Sequence, residues 1–184
     1  MSLYLSPTST TSLGLYVSQV NDIALLLLDR PSTMRPLLRL PPAVPRPAAA
    51  PGTLLTAIGW GLTDMNQFTF PSVLQEATLE MLPQKQCAAY FADLIPKAAW
   101  DSQFCAGEAQ GEDGSPLIWK GPSGDVAIGV TTLSFACGSD YPAVYADVAA
   151  ASNWIRNAIQ WMLREDAAGR IRGPATNGSR SEGA

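Results

Sequence analysis

Between residues 53 and 148 short apolar or alternating runs recur between turn signals: TLLTAIGW, SVLQEATLEML, SPLIWK, VAIGVTTLSF and AVYADV. Runs of this length and spacing predict antiparallel strands gathered into a barrel or sandwich. Upstream, residues 20–28 (VNDIALLLL) form an apolar run broken only by Asn21 and Asp22. That is the length of a buried strand and too short for an independent helix. The two regions are joined by residues 30–51, whose LPPAVPRPAAAPG core holds too many prolines for a helix or a central strand. A linker or surface crossover is expected there.

The period changes once, after Asp147. Val148, Ala151, Trp154, Ile155, Ala158, Ile159 and Met162 recur at steps of three and four, which predicts an amphipathic helix over 150–164 with Ser152 or Asn153 near its start. Trp154 and Ile155 are expected in the core. From residue 165 onward the chain has no aromatic residue and one large aliphatic, Ile171, so a disordered tail is expected over 165–184. Asn177-Gly178-Ser179 in that tail is a glycosylation sequon, of consequence only in a secreted chain.

Composition narrows the function classes. At 184 residues, 47% apolar and 15% charged, the chain has the material for a globular core. A net charge of −4, with no run of Lys or Arg, argues against nucleic acid and against a polybasic membrane anchor. The longest apolar run, IALLLL at residues 23–28, is far short of a bilayer span, so no membrane partner is expected. The N-terminal MSLYLSPTSTTSLGLYV lacks a basic n-region and a continuous apolar h-region and does not read as a signal peptide. Three cysteines without a CxxC spacing, in a chain with no histidine, leave carboxylates as the main ligands of any zinc site. Neither a metal nor a cofactor is expected.

Taken in order, Asn21-Asp22-Ile23-Ala24-Leu25-Leu26, Gly59-Trp60-Gly61, Leu74-Gln75, Cys87, Phe104-Cys105-Ala106-Gly107, the segment GEDGSP at 111–116, PAVY at 142–145 and Trp154-Ile155 resemble the trypsin-like, chymotrypsin-fold serine proteases. Any one of these motifs is weak alone, and the ordered set is specific. The resemblance implies an all-β fold of two perpendicular barrels with the active site between them. On that pattern residues 1–29 are a remnant of the first barrel, 30–51 the inter-barrel linker, and 52–164 the second barrel with its C-terminal helix.

A serine protease needs a hydroxyl nucleophile, an imidazole that takes and returns its proton, and a carboxylate that orients the imidazole. By resemblance Asp22 stands at the carboxylate position. The family's histidine belongs to a part of the first barrel with no match here. Aligned on GDSGGP, Gly111 falls at the oxyanion-hole position, Glu112 replaces an aspartate and Asp113 occupies the serine position. Two like charges about 4 Å apart repel by roughly 1 to 4 kcal/mol, so a carboxylate at residue 113 opposes an oxyanion instead of generating one. Ser115 comes two positions late to replace it.

The substrate pocket also departs from the family. Three residues, Glu108, Ala109 and Gln110, stand where a longer segment forms one pocket wall, and Leu133, Ser134 and Ala143 replace Trp, Gly and Gly on the other. Thr132, Leu133, Ser134 and Ala143 are therefore expected as pocket remnants. The resemblance pairs Cys87 with Cys105 and leaves Cys137 as a free thiol. Set against functional roles, Asp22 reads as a structural carboxylate, Asp113 as a turn residue and Cys137 as a small buried apolar side chain.

The resulting expectation is a catalytically inactive, extracellular protease homologue that acts by binding a protein of unknown identity. The incompletely covered barrel also makes self-association an expectation. The alternative is an incomplete piece of a secreted trypsin-like endopeptidase. A decayed product without function stands behind both.

Overall fold

The computed structural model describes residues 4–5, 21–28, 30–42, 50–61, 70–108, 115–134 and 141–170. Near the N-terminus β1 (Tyr4–Leu5) pairs antiparallel with β2 (Leu25–Leu26). The remaining strands are β3 (Leu54–Gly59), β4 (Gln75–Glu80), β5 (Gln103–Glu108), β6 (Pro116–Gly121), β7 (Gly124–Leu133) and β8 (Pro142–Asp147). They form one antiparallel sheet in the order β4-β3-β6-β7-β8-β5. Its two end strands curl together where Met81 bridges Ala106 and the Leu82 N–H donates to the Cys105 carbonyl at 3.0 Å. The expected all-β class with a C-terminal helix is thus met by a curled antiparallel half-barrel.

Strand periodicity decides which side chains fill it. Leu55 and Ala57 of β3, Leu79 of β4, Phe104 and Ala106 of β5, Leu117 of β6, and Ala143 and Tyr145 of β8 share one buried cluster inside the curl. Leu54, one residue out of phase, is 64% exposed. All six residues of β8 are buried, because its other face is covered as well. Val144 packs with Cys87, Phe91, Ile95, Ala99, Trp100 and Cys105, and Ala146 packs with Ile23, Val148 and Ile155. A strand roofed on both faces reads as a continuous apolar run, which is what PAVYA is.

The outer cover comes partly from an element the periodicity did not predict. Helix α1 (Gln84–Tyr90) and a 3-10 turn (Lys97–Asp101) lie between β4 and β5. Seven residues are too few for a 3.6-residue repeat to stand out, and α1 carries only one buried side chain, Cys87. That residue forms a disulfide to Cys105, with Cα atoms 5.9 Å apart, so α1 is fastened to the back of β5.

Helix α2 (Ser152–Ala167) begins two residues later and ends three later than the expected 150–164. At its start the Asp147 Oδ1 accepts the N–H groups of Ala149 and Ala150 at 2.9 and 3.1 Å, holding those residues in a turn. At its end Gly169 has φ 66°, and the Arg170 and Gly169 N–H groups bond back to the Glu165 and Asp166 carbonyls. This left-handed cap satisfies the last carbonyls, and Glu165 and Asp166 are helical rather than part of a tail. The Arg170 guanidinium also holds the Glu165 carboxyl below the usual carboxylate range.

Of the buried strand expected over residues 20–28, the described residues 21–28 form only a short paired piece. Only Leu25 and Leu26 pair, and burial alternates: Ile23 is buried, whereas Leu26 and Leu28 are 60% and 59% exposed. Just one face of the segment meets a layer, at Ala146, Val148 and Ile155. Beyond it residues 30–42 run without helix or regular strand, strapped to the sheet at Arg39, whose N–H donates to the Asp125 carbonyl and whose carbonyl accepts the Ala127 N–H, both at 2.9 Å. Pro41 is buried, and its carbonyl accepts Arg156 Nη2 of α2 at 3.2 Å.

The disulfide closes a separation of 18 residues, for which chain entropy assigns about 3 kcal/mol. Replacing Cys87 and Cys105 together by serine is expected to lower the unfolding free energy by that amount, read as a lower urea midpoint at unchanged slope. An unchanged midpoint would show that α1 and β5 are held together without the bond.

Candidate functional site

Asp22 sits in a tight turn made possible by Asn21, which takes φ 56° while its carbonyl accepts the Ile23 N–H at 2.8 Å. The turn sends Ile23 into the core beneath α2 and leaves Asp22 on the exposed surface. Gly111, Asp113 and Cys137 lie outside the described residues, as does Glu112.

The expected pocket residues fall at the end of β7 and the start of β8, side by side in the antiparallel pair. Thr132 is buried and its hydroxyl donates to the Val144 carbonyl at 3.3 Å. Leu133 packs half-buried against the cluster around Val144, and Ser134 closes the strand half-buried. Ala143, fully buried, belongs to the barrel interior with Ala106 opposite it. The four residues are neighbours, yet Thr132 and Ala143 are engaged in holding the sheet. Ser115 is likewise committed at its backbone, its carbonyl accepting both the N–H and the hydroxyl of Thr131 at 2.9 and 3.0 Å.

Two residues passed over in the sequence carry more of the local chemistry. Asp147, 5% exposed, sets the entry to α2 through the two bonds above. Its signal was an aspartate between an apolar strand and VAAAS. Tyr145 is completely buried, its ring stacked on Phe104 with centroids 5.7 Å apart, and its hydroxyl has no hydrogen-bond partner among the described residues. Burial pushes the phenol well above its ordinary range. A tyrosine at an inward position of a doubly buried strand is the pattern that could have flagged it.

On the surface, Trp60, Val73 and Leu74 are 53%, 68% and 44% exposed. Gly59 pairs with Gln75, so the backbone brings these residues near one another just past the ends of β3 and β4. Among the described residues no helix is long and apolar enough to cross a membrane.

A six-stranded antiparallel curl that folds one long connection back over β5 through a disulfide, and lays its last helix across β8, is built as a trypsin-like barrel is built. Residues 8–155 match the Trypsin family profile, and the chain belongs to that family. It is 33% identical over 147 residues to Trypsin-1 of Gadus morhua, covering 76% of this chain and 57% of that one. It is equally 33% identical over 145 residues to Glucanase inhibitor protein 3 of Phytophthora infestans, covering 74% and 53%, and 32% identical over 149 residues to Trypsin delta of Drosophila melanogaster, covering 75% and 54%. The chain thus spans little more than half the length of these relatives.

The Tyr145 phenol ionises at a higher pH in the folded protein than its ordinary 10.0. The folded state keeps that proton more tightly than the unfolded one, so stability is intact below the ordinary value and falls as pH rises above it. At neutral pH Tyr145→Phe is expected to unfold at the same urea concentration as the parent or at a slightly higher one, since no bond is lost. Near pH 11 the variant should be the more stable of the two. A loss of more than about 1 kcal/mol at pH 7 would reveal a partner for the hydroxyl.

Proposed function

We propose that this trypsin-family chain acts outside the cell by binding another protein and does not hydrolyse peptide bonds. The observation that carries the reading is Asp113, which stands where the family motif has its nucleophilic serine. A carboxylate there has no hydroxyl proton to give up, and an acyl transfer to it would yield an anhydride. Its charge also opposes the oxyanion that the neighbouring backbone would otherwise stabilise. The 184 residues contain no imidazole to act as base.

Two further facts favour binding. Among the relatives are proteins named glucanase inhibitors, at 33% and 32% identity, alongside the trypsins. The exposed apolar residues Trp60, Val73 and Leu74 offer the kind of surface that a partner protein covers. The family and the Cys87–Cys105 bond both fit an oxidising, extracellular compartment, and a secreted glycoside hydrolase is the partner class. A second reading, in which the chain is one part of a longer secreted endopeptidase, is favoured by its coverage of little more than half of Trypsin-1.

A fluorophosphonate probe and a fluorogenic arginyl peptide test the chemistry. The purified chain is expected to give neither labelling nor turnover, and Asp113→Ser is expected to stay silent for want of an imidazole. Turnover by the parent chain would contradict the binding reading. Titration against a set of secreted glucanases by calorimetry tests the partner class. Binding weakened by Trp60→Ser supports it, and no heat with any of them removes it. Sedimentation of the chain alone distinguishes pairing with a second copy from a free surface.

A further inference from the structure

On the face of the β6–β7 hairpin where residues 39–42 cross it, the structure holds a groove of about 410 Å³. Leu40 and Pro42 form one side, Trp119, Val126 and Ile128 the other, and Arg39 is the one charged residue among those lining it. Trp119 lies directly across from Val126, and its indole folds over Gly121, where a Cβ would come within 2.9 Å of the ring. A side chain at residue 121 would therefore push the ring aside. Ile128 is the residue left over where the register shifts between Leu117–Gly129 and Ile118–Ala127.

The walls are fastened independently of any ligand. Arg39 is tied to β7 through its backbone N–H and carbonyl, and its Nη1 donates to the Ser123 carbonyl at 2.9 Å. Pro41, between the lining residues Leu40 and Pro42, is tied to α2 by Arg156. The guanidinium spends one of its five N–H donors on Ser123, and among the described residues no carboxylate pairs with it. An apolar slot with a flat aromatic floor and a single exposed cation is complementary to a molecule with an apolar body and one anionic end.

We propose that this groove binds a small amphiphilic monocarboxylate, with its hydrocarbon part against Trp119, Val126 and Ile128 and its carboxylate on the Arg39 guanidinium. Neither Asp22 nor Asp113 is among the residues that line it, and the proposal does not depend on the binding reading above. The first experiment is displacement of the anionic dye 8-anilino-1-naphthalenesulfonate by decanoate from the full chain, repeated with Arg39→Met and Arg39→Lys. The neutral dye N-phenyl-1-naphthylamine reports the apolar wall alone. One-to-one displacement by decanoate is expected, with affinity reduced roughly 10- to 100-fold in Arg39→Met, the worth of a hydrogen bond to a charged group. Arg39→Lys should retain most of it, and all three proteins should bind the neutral dye alike. Failure of decanoate to displace the dye, equal decanoate affinity in Arg39→Met, or a parallel loss of the neutral dye in that variant would overturn the proposal.

Discussion

The β5–β8 pair is buried on both faces, and the rest of the molecule is arranged by that requirement. Phe104, Ala106, Ala143 and Tyr145 point into the curl, and Cys105, Val144 and Ala146 point out of it, so each strand needs two layers of cover. The inner layer is the sheet itself, bent until Met81 meets Ala106. The outer layer is the α1 connection on one side and Ile23 with α2 on the other. Packing inside the curl leaves no slack at Gly129, where a Cβ would lie 2.9 Å from the Phe104 ring and 3.0 Å from the Tyr145 Cβ. Glycine is the residue that lets β7 approach that closely.

This construction separates fold from chemistry. The residues that make the doubly covered pair are in strands, whereas Gly111 and Asp113, to which the resemblance assigns protease positions, come between β5 and β6 in sequence, and Cys137 between β7 and β8. A substitution in such a connection changes reactivity without touching the packed layers. On the reading proposed above, the barrel keeps its core and its Cys87–Cys105 fastening while a carboxylate takes the nucleophile position. Outside the packed layers the described residues present the exposed Trp60, Val73 and Leu74 and the groove beside residues 39–42, the two surfaces on which the proposals above rest.

Much of this was legible in the sequence because strand alternation and the family motifs agree. The strand runs TLLTAIGW, VAIGVTTLSF and AVYADV each hold a strand of the sheet, and the four-residue repeats around Trp154 hold α2. Periodicity missed α1, which is too short to repeat, and it missed β5, where QFCAGE has little alternation because both faces are covered. The ends of α2 were written in Asp147 and Gly169, residues whose effect comes through single hydrogen bonds and one backbone angle. Residues 20–28 misled because a run of leucines is equally hydrophobic on both faces, and only the tertiary packing decides that one of them stays in solvent. At the site, Thr132, Leu133, Ser134 and Ala143, which the resemblance named together as pocket positions, lie beside one another at the end of β7 and the start of β8, and what the sequence did not show is that Thr132 and Ala143 also hold the barrel together.

Hydrogen exchange of the full chain, resolved by mass spectrometry, tests the central claim most directly. If the doubly covered pair organises the barrel, the amides of residues 103–106 and 143–147 should exchange last and together, at the rate of global unfolding, with those of β4 opening earlier. Exchange of β5 and β8 before the β3–β6–β7 strands would contradict the account, because the layers would then stand without the pair they are supposed to cover.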